Sequence, residues 1–272
     1  MKKHITTILL ILVFIIGLSL MLYPAISDYW NSIHQSKAIA SYVEQIENLD
    51  EIEYEKMLTE AQTYNEKHKN SNFKLNSSEK AYYQSLLNPG NLGIIGYIEI
   101  DSIGVSLPIY HGTSESVLQK AVGHLDWSSL PVGGNSTHCV LSGHRGLPSA
   151  RLFTELDKMA QGDIFVIRVL NEVYTYEVEN IHIVEPNDFN YLHIEEGKDL
   201  CTLITCTPYG VNSHRLLVQG KRIENLESAE HATHVTADAM QIKPVIIAPI
   251  IAIPILLVFL AVLFSSSKRK RR

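Results

Sequence analysis

Three hydropathy patterns divide the chain. From about Ile5 to Ser27 no charge appears, and the core of that stretch, Ile8 to Leu22, is densely apolar. This is long enough for a bilayer-crossing helix, which needs about 20 apolar residues. A second uncharged stretch runs from Pro244 to Ser267. Between the two, from Asp28 to Lys69, apolar residues recur at spacings of three and four (Ile39, Val43, Ile46, then Met57, Leu58, Ala61, Tyr64), with Glu and Lys between them and no Pro or Gly. That period predicts a pair of amphipathic helices. Residues 70–91 are polar, with Phe73, Leu75, Tyr82 and Tyr83 interspersed, which fits a loop or short helix draped over the surface. After Asn88-Pro89-Gly90 the pattern changes to short runs rich in Ile, Val, Leu, Thr and Tyr, separated by Gly, Pro or Asn. These predict strands at Ile94 to Ile100, Val105 to Tyr110, His138 to Ser142, Ile164 to Val169, Val173 to Val184, Leu200 to Cys206 and Arg215 to Ile223. A hairpin with Asn171-Glu172 at its tip and one helix over Arg151 to Met159 complete the expectation. So many short strands in so few residues favour a mainly β, closed barrel over a βαβ sheet.

Charge sharpens the division. The chain is formally −6, but residues 28–242 hold all 29 acidic residues and only 15 of the 23 basic ones, a net −14. A surface of that sign excludes nucleic acid as a partner. The outer flanks are basic, Lys2-Lys3 at one end and Lys268-Arg269-Lys270-Arg271-Arg272 at the other. The positive-inside bias therefore predicts two spans, both termini cytoplasmic and the middle outside the cell. A signal peptide competes for the first span, but its apolar core exceeds the usual h-region of about 7–15 residues, and no clear small-x-small cleavage site follows. No Leu-Pro-x-Thr-Gly signal precedes the second, so it reads as an anchor. The predicted layout is an anchor at 1–27, a helical segment at 28–69, a lid-like loop at 70–91, a barrel at 92–226, a linker at 227–243, a second span at 244–265 and a basic tail at 266–272.

Of the three cysteines, Cys139 and Cys201 fall within predicted strands and read as packed core residues. Cys206 ends a β-branched run, directly before Thr207-Pro208-Tyr209-Gly210, and the next apolar run opens with His214-Arg215. A hairpin here presents a thiol beside a cationic residue. Cys201, at an odd offset from Cys206, faces away from it, which excludes a disulfide between them. A thiol nucleophile needs a base nearby. His144, in Leu141-Ser142-Gly143-His144-Arg145-Gly146, and His214 are both candidates. Since His214 and Arg215 point to opposite faces of a strand, only one can accompany Cys206. Arg215 is the better choice, because a guanidinium holds a carbonyl or oxyanion without changing its own charge. His124 and His138 carry no metal-site spacing such as Cys-x-x-Cys or His-Glu-x-x-His, and no clustered acidic loop supports calcium. No metal or cofactor is expected.

The segments Thr202 to Cys206, Thr207 to Gly220, Leu141 to Pro148, Leu107 to Thr113 and Ser129 to Gly134 together resemble the sortases, the cysteine transpeptidases of Gram-positive cell surfaces, over about Gly93 to Arg222. The resemblance is closest to the pilus-building class C branch. It implies Cys206 as nucleophile, His144 as acid and base, and Arg215 as clamp for the substrate carbonyl and oxyanion. Leu203 and Thr205, on the same strand, are expected to contact substrate. The implied partners are pilin or surface proteins carrying a Leu-Pro-x-Thr-Gly-like sorting signal, cut between Thr and Gly, and a pilin bearing the acceptor lysine. A housekeeping sortase using a peptidoglycan amine, or a non-enzymatic assembly factor, are the alternatives. Class C enzymes usually carry an Asp-Pro-aromatic lid. No Asp-Pro occurs in 70–91, and Asn72-Phe73 is the nearest counterpart, with Phe73 the residue expected over the groove.

Overall fold

The structure, a computed structural model, describes residues 2–69 and 75–226. Asn72 and Phe73, the lid expectation, lie outside them, as do the linker and second span expected at 227–265. Among the described residues one helix is long and apolar enough to cross a membrane. This is α1 (Lys2–Glu47), which runs through Pro24 without a break. At 1.5 Å per residue it is about 70 Å long. The apolar segment and the first amphipathic helix form one continuous element.

The outer part of α1 buries Ile39, Tyr42 and Ile46, spaced three and four apart, against the rest of the molecule. Tyr42 is the key contact: its hydroxyl donates to the Ile95 carbonyl at 2.7 Å and accepts from the Leu170 amide at 2.8 Å. Asp50 caps α2 (Glu51–His68) by accepting from the Glu53 amide. Tyr64 and Asn65 of α2 are buried, and the Asn65 amide group pairs with both backbone groups of Leu130. A capping box of Asn76 and Glu79 starts α3 (Ser77–Ser85), where a loop or short helix was expected.

Eight strands then close into a barrel: β1 (Ile94–Ile100), β2 (Val105–His111), β3 (Val122–His124), β4 (Thr137–Ser142), β5 (Ile164–Val169), β6 (Glu172–Val184), β7 (Asp199–Thr207) and β8 (His214–Arg222). Their order around the wall is β1-β2-β3-β4-β7-β8-β6-β5. Closure leaves no open sheet edge. The four-residue helix α4 (Glu115–Leu118) lies between β2 and β3. The barrel interior and the inner faces of the helices form one core, which includes Ile98, Leu141, Phe153, Phe165, Tyr176 and Leu203.

Two expectations need correction. Arg151 to Met159 is not a helix but a series of turns with a 3-10 turn at Leu156–Lys158. Its apolar spacing mimics a helix because Leu152, Phe153, Leu156 and Met159 all fill the core, yet Leu152 has φ 40° and the Phe153 amide bonds back to the His144 carbonyl. The hairpin tip is Leu170-Asn171 rather than Asn171-Glu172, since Val169 pairs with Glu172. Leu170 takes a positive φ of 53° with its side chain buried, held there by the Tyr42 hydroxyl on its amide.

Candidate active site

Two ladders build the site. β4 and β7 run parallel, with Cys139 beside Cys201 and Ser142 beside Ile204. The Gly143 amide continues the ladder by donating to the Ile204 carbonyl at 3.0 Å. The next residue, His144, is thereby level with Cys206. β7 and β8 run antiparallel, with Cys206 directly opposite Arg215. Residues so opposed share a face, their Cβ atoms about 4.5–5.5 Å apart. The expected trio is therefore gathered on three adjacent chain segments. His214, the other candidate base, pairs with Thr207 on the opposite face, where its Nδ1 lies 2.8 Å from the Ser213 hydroxyl.

β7 has two unlike faces. Cys201 and Leu203 point into the main core and are fully buried, and Thr205, on the same side, is 2% exposed. Ile204 points outward into a small cluster with Val140, Val184, Leu192 and Leu217, roofed by Leu125 and Trp127. Cys206 ends the outward face and is only half-buried. Leu203 and Thr205, expected at the substrate, thus lie on the inward face. Strand alternation turns both side chains into the barrel, away from the thiol. Thr205 has a different task. Its hydroxyl donates to the Gly143 carbonyl at 2.8 Å, so it pins the end of β4 from which His144 projects. Gly143 itself must lack a side chain, because a Cβ there would lie 2.6 Å from the Phe153 ring.

Other residues tie the surrounding loops together. Arg145 pairs with Asp157, and its Nη1 donates to the Thr207 hydroxyl at 3.3 Å, joining the His144 loop to the end of β7. The Tyr209 ring lies over Gly146, which has φ 76°, and 6.0 Å from the Arg145 guanidinium. Glu115 Oε2 is 3.6 Å from His144 Nε2. Neither Glu115 nor Asp157 carries a sequence signal, since each reaches the site only through tertiary contact. The Arg215 Nη1 donates to the carbonyls of Asn212 and His214, so the guanidinium is held at the mouth of its own turn.

Histidines considered for metal binding are otherwise engaged. His138 places its two ring nitrogens 2.8 Å from the His193 carbonyl and the Thr202 hydroxyl, and burial lowers its pKa. His124 is buried between Tyr83, Ser128 and the Ser129 carbonyl. Among the described residues no group of His, Cys, Asp and Glu could hold a metal ion. Chemically, the site offers a thiol, an imidazole and a fixed positive charge on three adjacent chain segments. That set can attack a carbonyl, neutralise the resulting oxyanion and move a proton to a leaving amine.

Comparison with known proteins places the chain. The sortase domain model matches residues 98–223. Sortase D of Bacillus subtilis is 29% identical over 172 residues, covering 62% of this chain and 84% of that protein. The crystal structure of sortase C1 from Streptococcus agalactiae is 50% identical, with a TM-score of 0.69, covering 70% of this chain and all of that one. Sortase C of Streptococcus pneumoniae is 46% identical, with a TM-score of 0.62, over 70% of this chain and 97% of that one. With class C sortases among its structural neighbours, the chain belongs to the sortase family of cysteine transpeptidases.

Proposed function

We propose that this sortase polymerises pilins. The Cys206 thiol gives its proton to His144, and its sulfur attacks the Thr carbonyl of a Leu-Pro-x-Thr-Gly-like sorting signal. Arg215 holds the carbonyl oxygen as it becomes an oxyanion, and His144 protonates the departing glycine amine. The product is a thioester on Cys206. A lysine amine of another pilin then adds to the thioester carbonyl and loses a proton to His144, and the thiol leaves as the new amide forms. The observation that carries this reading is the pairing of Cys206 with Arg215 across β7 and β8, with His144 just beyond the end of β4, the strand beside β7. The pilin substrate is supported by likeness to S. pneumoniae sortase C, whose structure was described in relation to pilin substrate specificity. The enzyme works outside the cell, tethered by α1.

The test uses the full chain in detergent or vesicles with a peptide carrying Leu-Pro-x-Thr-Gly and a second protein bearing an exposed lysine. Mass spectrometry is expected to find the peptide, truncated after Thr, on Cys206, and then as an isopeptide on the lysine. Transfer only to a peptidoglycan stem amine would replace pilin polymerisation with wall anchoring. An intact product from Cys206→Ala would end the enzymatic reading altogether.

A further inference from the structure

The helix that crosses the membrane also clasps the loops flanking the candidate site. Asp28, the first acidic residue after the apolar run, accepts from the Arg151 amide at 2.8 Å. One turn on, the Asn31 side chain donates to the Ser149 carbonyl at 2.8 Å. Another turn on, Gln35 donates to the Lys120 carbonyl at 2.8 Å. Ser149 and Arg151 belong to the loop that begins at His144, and Lys120 ends the segment that carries Glu115, the His144 neighbour. Both borders of the site are therefore fastened to α1 immediately above its apolar run.

The height of those borders can be set. Aromatic residues mark where a transmembrane helix meets the headgroups. Tyr23 and Trp30, two turns apart on α1, are both exposed, Trp30 by 64%. Asp28 and Asn31 flank Trp30, so the Ser149–Arg151 loop stands at the level of the interfacial aromatics. Tyr42, which holds the β5–β6 hairpin, is about 18 Å above Trp30 along the helix at 1.5 Å per residue. α2 begins beyond that, where Tyr54 meets Glu172 of the hairpin. The site is therefore on the membrane side of the barrel and the hairpin is on the far side. Other large exposed groups lie at the lower level: Pro148, and Tyr209, which covers Gly146 and is 61% exposed.

We infer that the face formed by Trp30, Pro148, Arg151 and Tyr209 rests against the headgroup layer of the bilayer that α1 crosses. Arg151, whose Nη2 is paired with Glu155 at 2.9 Å, keeps an exposed guanidinium edge for lipid phosphate, and Trp30 and Tyr209 offer rings suited to the interface. The groove then opens at the membrane surface, and the segment it receives is one whose cleavage point sits only a short extension above the lipid. A polypeptide released from the membrane has no such placement and relies on groove affinity alone. This inference rests on α1 being an anchor, but not on the identity of the pilin or acceptor.

The experiment places single labels on the full chain in vesicles of phosphatidylcholine and phosphatidylglycerol. In a Cys206→Ala background, where the two remaining thiols are buried, Pro148→Cys, Tyr209→Cys and Ile52→Cys each receive a fluorophore. Ile52, at the start of α2 and 80% exposed, is the distant control. Nitroxide lipids labelled at the headgroup are expected to quench the labels at 148 and 209 at least about twofold more than the label at 52, as for groups lying within the interface. Equal quenching at all three positions overturns the inference. A Leu12→Cys label with deep-acyl quenchers separates the two failures. If it is quenched while 148 and 209 behave as 52 does, the anchor stands and the docked face falls. If it is not quenched, the anchor falls and takes the docked face with it.

Discussion

Cys201 and Cys206 lie on the same strand, five residues apart, and share neither surroundings nor expected chemistry. Cys201 faces the core beside Cys139, and burial pushes its thiol well above the ordinary range. Cys206 is half-buried on the other face, opposite a guanidinium and level with an imidazole. The pleat alone separates them. It gives β7 one face that fills the barrel and one that ends in the proposed nucleophile, and any substitution on the strand is expected to act through one face or the other.

The sharpest way to break that division is at the thiols. Cys206→Ala should lower turnover of a sorting-signal peptide by about 10⁴-fold or more without altering the melting temperature, as expected when a nucleophile is removed. Cys201→Ala should keep turnover within a few-fold and lose about 1–2 kcal/mol of stability. If Cys201→Ala abolished turnover in a fully folded protein, the two faces would not be independent.

Arg215 tests the chemical face further. Arg215→Ala should lower kcat by about 10²–10³-fold, the cost of losing one oxyanion donor. Arg215→Lys should recover little, because a point charge does not reproduce the planar fork. Near-complete rescue by lysine would mean that charge alone matters.

Thr205 is where the faces meet. Its side chain is structural, but the carbonyl it holds belongs to the turn that aims His144. Thr205→Val should cost about 1–3 kcal/mol by leaving a buried acceptor unsatisfied. It should also lower kcat more than it changes KM, with Thr205→Ser restoring both. A stability loss with unchanged kcat would confine Thr205 to the wall.

The smallest effect concerns acid. His111, at the end of β2, lies 2.8 Å from the Leu86 carbonyl, and burial lowers its pKa from 6.5 to about 4. A folded value below the unfolded one means that the neutral ring is the form the fold prefers. This contribution is complete above about pH 6.5 and is lost as pH falls toward 4. After allowance for partial exposure, the loss should be about 1–2 kcal/mol. A melting-temperature series from pH 7 to 4 should show the slope, and His111→Asn should flatten it. A slope unchanged by that substitution would assign the acid response elsewhere.

Much of this was legible in the chain. Strand positions came from alternation and punctuation, and five-residue spacing put Cys201 and Cys206 on opposite faces. Arg215 rather than His214 opposes Cys206, because a hairpin fixes its register locally. What escaped prediction depended on distant contacts. β3 is three residues long and parallel to β2, too short to show a period. Residues 151–159 carry helical spacing but are bent into turns by their bonds to the His144 loop. Leu203 and Thr205 were expected at the substrate because they adjoin the nucleophile in sequence, yet the pleat that exposes Cys206 turns both inward.

The parallel pairing of β4 with β7 has a consequence for the newly made chain. Strands lying side by side in the same direction cannot be joined by a tight turn, so the segments ending in His144 and Cys206 meet only after a long crossover has folded. Until that closure, His144, the proposed base, is not held beside Cys206. On the proposed roles, competence requires this non-local closure of the barrel. On those roles, an incompletely folded copy lacks the assembled set, and the appearance of turnover would report the completion of this part of the fold.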